Sequence, residues 1–403
     1  MVSGMVLLPC LQAGAADASR LEERVSRLEQ RVQEESNVLD GLNLGIGATM
    51  VVQGTRNANG SGLNAAQNSY KGDDATDASY SVDVEFEKEF VDTGSTAFLY
   101  LTTGEGWGVT DNLELYSNVN YDADNSANLS VGEIWWRQDI DGVAVMTAGK
   151  IDPAKYIDTN EYANDECSQF LGSMFRNSPV IEFSGNSFGA RVGLPVTNRV
   201  DIETVVVDGD ADFNQVGDSL WVGLQASIKP ELLSRPGNYR LLYWYNDVPH
   251  TKWADVSKIK KSGRGFGVSI DQEIVDNIGI FGRAGRQADR SFIDSAADGI
   301  TPEDFSLSAA YSLGLQAAGK LWGRENDAFG IGCGIIEASD EYKKATGRNA
   351  KTEGHLEMYY RYVCNEHVSI SPDLQVISSP FGKDAPNGDS TIFVGGIRTQ
   401  IDF

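Results

Sequence analysis

The stretch ASYSVDVEFEKEF, residues 78–90, decides the fold. Tyr80, Val82, Val84, Phe86 and Phe90 share one parity, and Ser81, Asp83, Glu85, Glu87 and Glu89 share the other. In extended chain successive side chains point to opposite faces, so this strand is apolar on one side and acidic on the other. A carboxylate pressed against a dry core costs several kcal/mol, so the acidic face must meet water while the opposite face meets an apolar medium.

The same alternation recurs outward in both directions. Leu42, Leu44, Ile46, Ala48, Met50 and Val52 alternate before it. After it come Leu220 to Ile228, Phe305 to Leu313 and Leu356 to Tyr362. In all, about 16 segments of roughly 9–13 residues read this way, the length a tilted strand needs to cross a bilayer. The expected spans are 42–54, 78–91, 95–103, 130–140, 143–150, 187–195, 199–208 and 218–228. The second half continues with 238–247, 263–273, 277–286, 304–314, 328–337, 353–363, 366–378 and 390–403. Links after even-numbered strands are short, as at Asp92-Thr93-Gly94 and Asp141-Gly142, whereas most links after odd-numbered strands are long. Short turns at one end and long loops at the other are the signature of an all-β, 16-stranded antiparallel transmembrane barrel. A soluble sandwich or solenoid would keep the alternation without that asymmetry, and a β-rich surface adhesin is the corresponding functional alternative.

Composition agrees. The 403 residues carry 58 Asp and Glu against 33 Lys and Arg, a formal charge of −25 that repels nucleic acid. Mean hydropathy is −0.28, and no stretch approaches the run of about 20 apolar residues a spanning helix requires. The 43 glycines suggest many tight turns. Cys10, Cys167, Cys333 and Cys364 form neither a disulfide framework nor a CxxC metal pattern.

The N-terminus differs from the rest. Met5 to Leu11 is apolar and is followed by Ala13-Gly14-Ala15-Ala16, as in a secretory signal, although the first basic residue is Arg20. Leu21, Val25, Leu28 and Val32 then make a short heptad seam. Two to three heptads are unstable alone, so the segment is either an amphipathic helix packed on the body of the protein or, as the preferred reading, a short parallel coil joining protomers, with a trimer as the expected assembly. The expected organisation is a signal peptide over 1–16, a periplasmic coiled-coil segment over 17–40 and a barrel over 41–403 in the outer membrane.

Catalytic chemistry finds little to use. His250, His355 and His367 form no ligand set, and no Ser-His-Asp grouping, HExxH or phosphate loop is present. The chain is not expected to be an enzyme, and no cofactor or metal is expected. Two features suggest a selective pore instead. Arg137, Lys150, Arg191, Arg240, Arg283, Arg361 and Arg398 are read onto the polar faces of strands, where they would oppose Glu85, Glu87, Glu133 and Glu357 across water. Trp135 shares the parity of Glu133 and Arg137, so its ring is expected to face the lumen, where it suits the apolar face of a sugar. The long loop 151–186 carries Phe170, Leu171, Met174 and Phe175, too apolar to stand in water. It is expected to fold inward and hang Asp165 and Glu166 in the channel opposite Arg137, Arg191 and Arg240.

Several motifs carry a family resemblance. Trp135-Trp136-Arg137-Gln138, Gly149-Lys150-Ile151-Asp152-Pro153, and Tyr162-Ala163-Asn164-Asp165-Glu166 with Gln169-Phe170-Leu171 and Asn177 are followed by a second group near the C-terminus. That group is Glu357 with Tyr359-Tyr360-Arg361-Tyr362, then Ser369 to Ile377, then Gly395-Gly396-Ile397-Arg398. Together they resemble the carbohydrate-selective porins of the OprB family over about residues 42–403, with the middle, about 199–350, matching in pattern only. The resemblance implies a 16-stranded barrel, passive diffusion of sugars and an eyelet formed by the inward loop. The N-terminal coil, similar to the periplasmic extensions of some sugar porins, and the acidic loops depart from the family. The acidity leaves a general or cation-selective porin as the alternative.

Overall fold

The computed structural model describes Arg24 and residues 40–403, except 62, 65–68, 71, 124–126, 233, 261, 289–290, 294–303, 386–387 and 389. The signal segment and the Leu21 to Val32 seam lie outside the described residues. Sixteen long strands form the body among the described residues. They are β1 (Leu42–Arg56), β2 (Thr76–Phe90), β3 (Ser95–Glu105), β4 (Ser130–Ile140), β5 (Ala144–Ile151), β6 (Ser187–Thr197), β7 (Val200–Asp208) and β8 (Leu220–Ile228). The ring continues with β9 (Arg235–Asn246), β10 (Gly263–Val275), β11 (Ile278–Gln287), β12 (Leu307–Ala318), β13 (Ala328–Ala338), β14 (Glu353–Val363), β15 (Val368–Ser378) and β16 (Ile392–Asp402).

Each strand pairs antiparallel with its sequence neighbours. The ring closes where β1 pairs with both β2 and β16, placing Val51 beside Ser79 on one side and Arg398 on the other. Closure removes every sheet edge, the condition for strands to survive in hydrocarbon. All sixteen expected segments correspond to strands, the largest displacement being β12, which runs to Ala318 rather than to 314.

The faces divide as the alternation requires. Ile134, Trp136, Met146, Phe188, Leu241, Phe266 and Leu313 are exposed on the outer wall. Phe90 and Trp136 meet there at a tilt, their ring centroids 5.2 Å apart, near the short-turn end, as in an aromatic girdle. The inner wall is covered by two long loops. L3 (152–186) crosses the lumen as expected, and its Phe170, Met174, Phe175 and Val180 pack against Phe281, Ile336 and Tyr359 of β11, β13 and β14. L2 (106–129) also folds inward, where Val109 and Val119 pack on Ile377, Ile392 and Val394. In sequence, L2 reads only as a long link.

Many glycines serve this packing rather than turns. A Cβ at Gly332 would come within 2.8 Å of Phe175, one at Gly334 within 2.4 Å of Met174, and one at Gly285 within 2.6 Å of Val180. The bare inner face of β11 and β13 is the seat of L3.

Candidate pore constriction

L3 is held largely by its main chain. Arg283 of β11, only 4 % exposed, donates to the Asp158 carboxylate at 3.2 Å and to the carbonyls of Phe175 (2.8 Å), Asp158 (3.0 Å) and Ala163 (2.6 Å). Glu357 of β14 accepts from the Leu171 and Gly172 N–H groups at 2.6 and 3.0 Å. Arg398 of β16 donates to the carbonyls of Glu166 (2.6 Å) and Gln169 (2.8 Å). At its start, Glu133 of β4 pairs with Lys155 and accepts from Asp152 N at 3.3 Å. L2 joins L3 through Tyr121 N–H to Leu171 O (2.8 Å) and Ser173 N–H to Asn118 O (2.9 Å).

These contacts revise several expectations. Arg283, Glu357 and Glu133 do lie on inner faces, but L3 covers them, so they anchor the loop and do not line water. Lys150 is on the outer face: it pairs in register with Ile134 and Phe188, both exposed outward, while its neighbour Gly149 faces Trp135 inside. Its Nζ donates to Val131 O at 2.6 Å and lies 5.5 Å from the Phe213 ring. A lysine at a strand end tolerates that face because its long stem lets the ammonium reach the polar rim.

Of the basic residues that remain inside, Arg191 and Arg240 are paired with acids of neighbouring strands rather than across water. Arg191 of β6 makes a two-pronged pair with Glu203 of β7 at 2.6 and 2.7 Å. Arg240 of β9 pairs with Asp271 of β10. Arg137 of β4, near the short-turn end, donates to Thr96 Oγ1 at 3.1 Å and lies 3.9 Å from Asp139. Arg361 is half-buried on the inner face of β14, two residues past the buried Tyr359. Glu203, Asp271, Asp158 and Lys155 were missed by the sequence reading, although each has inner parity or lies in L3.

Asp165 and Glu166 rest on the β16–β1 side, five to six strands around the ring from Arg191 on β6 and seven to eight from Arg240 on β9. Asp165 accepts from the N–H groups of Cys167 (2.8 Å) and Ser168 (3.3 Å), and Glu166 pairs with Arg176. Cys167 approaches the Thr49 hydroxyl at 3.4 Å.

Trp135 faces the interior, stacked on Phe98 at 4.7 Å and packed beside Ile151, Val205 and Trp221. Phe98, Trp135 and Tyr156 form an aromatic strip beside the charged pairs, with the Arg191 guanidinium 5.1 Å from the Tyr156 ring. Two cavities follow this wall. One of about 220 Å³ is lined by Lys155, Tyr156, Arg191, Glu203, Gln225 and Arg240. The other, about 430 Å³, is lined by Tyr162, Asn238, Asp271, Glu273 and Gln316.

On the far side, Asp122 of L2 accepts from the Ser81 hydroxyl at 3.0 and 3.1 Å. Burial, reinforced by Glu166 and Asp83, lifts its carboxyl from 3.8 to about 8. Since the shift is upward, the group is neutral below that range and gains its charge as pH rises through it. The folded chain therefore holds a proton across pH 4–8 that the unfolded chain has released, and this stabilisation is lost as pH rises. Raising the bath from pH 7 to pH 9 should shift the reversal potential toward cation preference in the parent and leave Asp122→Asn unmoved. Equal shifts in both would assign the titration elsewhere.

A closed sixteen-stranded barrel with a long loop folded across its lumen is the architecture of an outer-membrane porin. The family model for carbohydrate-selective porins, OprB, matches residues 39–403, and the chain belongs to that family. Its proteins are channels rather than enzymes. Porin AaxA of Chlamydia trachomatis serovar D is 25 % identical over 235 residues, covering 56 % of this chain and 45 % of AaxA. An uncharacterised protein of Aquifex aeolicus is 24 % identical over 234 residues, 58 % of this chain and 59 % of that one. The chain spans about half the length of the curated relatives it matches. In fold, the high-pH structure of Pseudomonas putida OprB superposes with a TM-score of 0.73 at 17 % identity, covering 91 % of this chain and 96 % of that one. The outer membrane channel DcaP of Acinetobacter baumannii gives 0.54 at 10 % identity, covering 90 % and 98 %.

Proposed function

We propose that the chain conducts carbohydrates and other small hydrophilic solutes by passive diffusion across the outer membrane, through the space that L3 leaves along β6–β10. The observation that carries this reading is the pairing of Arg191 with Glu203 and of Arg240 with Asp271 beside an aromatic strip. A sugar needs donors and acceptors side by side for its hydroxyls and a flat apolar face for its ring. Adjacent charges of opposite sign supply both, and they nearly cancel for a passing ion. The net charge of −25 favours a second reading, a general or cation-selective porin. Ion currents through single channels in planar bilayers separate the two. Mono- or disaccharides should reduce the current in a saturable way with little ion preference, and a strong cation preference without sugar block would favour the second reading.

Assembly follows the same reading. The apolar outer wall faces lipid, the short turns face the periplasm, and segment 17–40 joins protomers of a homotrimer there after removal of the signal at 1–16. Deleting residues 19–38 should lower the temperature at which the trimer dissociates on detergent gels while leaving conductance per pore nearly unchanged. A truncated trimer as stable as the parent would give the coil another task, such as attachment to the cell wall.

A further inference from the structure

We propose that Asp208, Asp210 and Asp212, where β7 runs into the 209–219 loop, form a calcium site. One carboxylate oxygen from each of the three lies within 4.8 Å of the others, the one such group among the described residues. Two ligands of a single ion, each at about 2.3–2.6 Å, must fall within about 5 Å of one another, and this group meets that limit.

A second observation concerns Asp208 itself. It is 2 % exposed, its Oδ1 accepts from Gly217 N–H at 3.2 Å, and its buried Oδ2 has no hydrogen-bond partner among the described residues. No ion pair among the described residues involves any of the three acids. A buried carboxylate oxygen left without a partner is costly, and a cation in the cluster supplies what the protein does not. The two oxygens of Asp208 share one carbon, so the orphan is either the cluster's own ligand atom or the oxygen bonded beside it.

The chemistry selects the ion. Acids at alternate positions in Asp208-Gly209-Asp210-Ala211-Asp212 have the spacing of the first three ligands of an EF-hand loop. The twelfth position holds Ser219 in place of the bidentate Glu, and the sixth holds Phe213 in place of Gly. With fewer charged ligands, affinity belongs in the range of extracellular modules, Kd about 10⁻⁴–10⁻³ M. An all-oxygen set on a loop, with Asp210 and Asp212 open to water, suits calcium better than magnesium, which demands a tight octahedron. The site touches the constriction's return path. Ser187, the first residue after L3, donates its hydroxyl to Asp208 O at 2.6 Å. A bound ion would therefore brace the point where L3 rejoins the wall.

The test uses the full chain in detergent, with calcium alone as probe, by equilibrium dialysis and by hydrogen exchange of residues 209–219. Because an acidic protein binds cations diffusely, Asp210→Asn/Asp212→Asn is compared with Asp92→Asn/Glu366→Gln, which removes two exposed charges elsewhere. The parent and the control should each take up one saturable calcium that equimolar magnesium does not displace, and exchange in 209–219 should slow. The Asp210/Asp212 variant should bind at least about tenfold more weakly, its loop exchange indifferent to calcium. Equal uptake by all three proteins, equal competition by magnesium, or unchanged exchange in the parent would overturn the proposal.

Discussion

Replacing Arg283 by Met should open the channel, raising single-channel conductance about twofold and abolishing sugar block, because a constriction loop sets the resistance only while it is seated. Arg283 reaches the Asp158 carboxylate and four carbonyls of L3 from the middle of β11, and both partners of the ion pair are almost fully buried. Breaking such a pair leaves a buried carboxylate uncompensated, a loss of about 3–5 kcal/mol. That loss falls on the docking of L3 and not on the barrel, whose ladders to β10 and β12 are made by backbone groups. The variant should accordingly keep the heat-dependent gel shift of a folded barrel. A folded variant with parental conductance and block would mean that Glu357 and Arg398 suffice to hold the loop.

Removing Arg191 and Arg240 together should turn a weakly selective pore into a cation-selective one. Each substitution by Ala leaves a carboxylate, Glu203 or Asp271, without its neighbour. At an effective dielectric near 20, a charge about 5 Å from a passing ion contributes about 3 kcal/mol before screening. Salt reduces this, and a change of about tenfold in the cation-to-anion permeability ratio is the expected reversal-potential reading. Sugar block should weaken in the same variant, because the paired donors are gone. An unchanged ratio would place the conducting path away from β6–β9.

The strands were legible because lipid on one side and water on the other write a period of two that nothing else in the chain imitates. The inward course of L3 was legible for a related reason, since Phe170, Met174 and Phe175 could not be left in water. L2 carried the same signal in Val109, Leu113, Leu115 and Val119, spread more thinly among polar residues, and it went unread. The site was harder. Parity places Arg283 and Glu357 inside correctly, but it cannot distinguish an inner face that meets water from one that meets a loop. That depends on pairs such as Arg283 with Asp158, which are 125 residues apart in the chain. Lys150 failed for another reason: at a strand end a long side chain can leave the face it starts from, so polarity there says little about direction.

Beyond its apolar packing and the Arg283–Asp158 and Glu133–Lys155 pairs, the constriction is fastened mainly through main-chain atoms. Most wall-to-loop hydrogen bonds end on backbone groups of L3, among them the carbonyls of Asp158, Ala163, Glu166, Gln169 and Phe175 and the amides of Asp152, Leu171 and Gly172. Every amino acid has a carbonyl, and every one but proline has an amide hydrogen, so these fastenings are blind to most substitutions in the loop they hold. Solute preference and mechanical integrity are thereby assigned to different atoms of the same segment. The passage can be re-lined, by drift or by design, with its gauge left as it was.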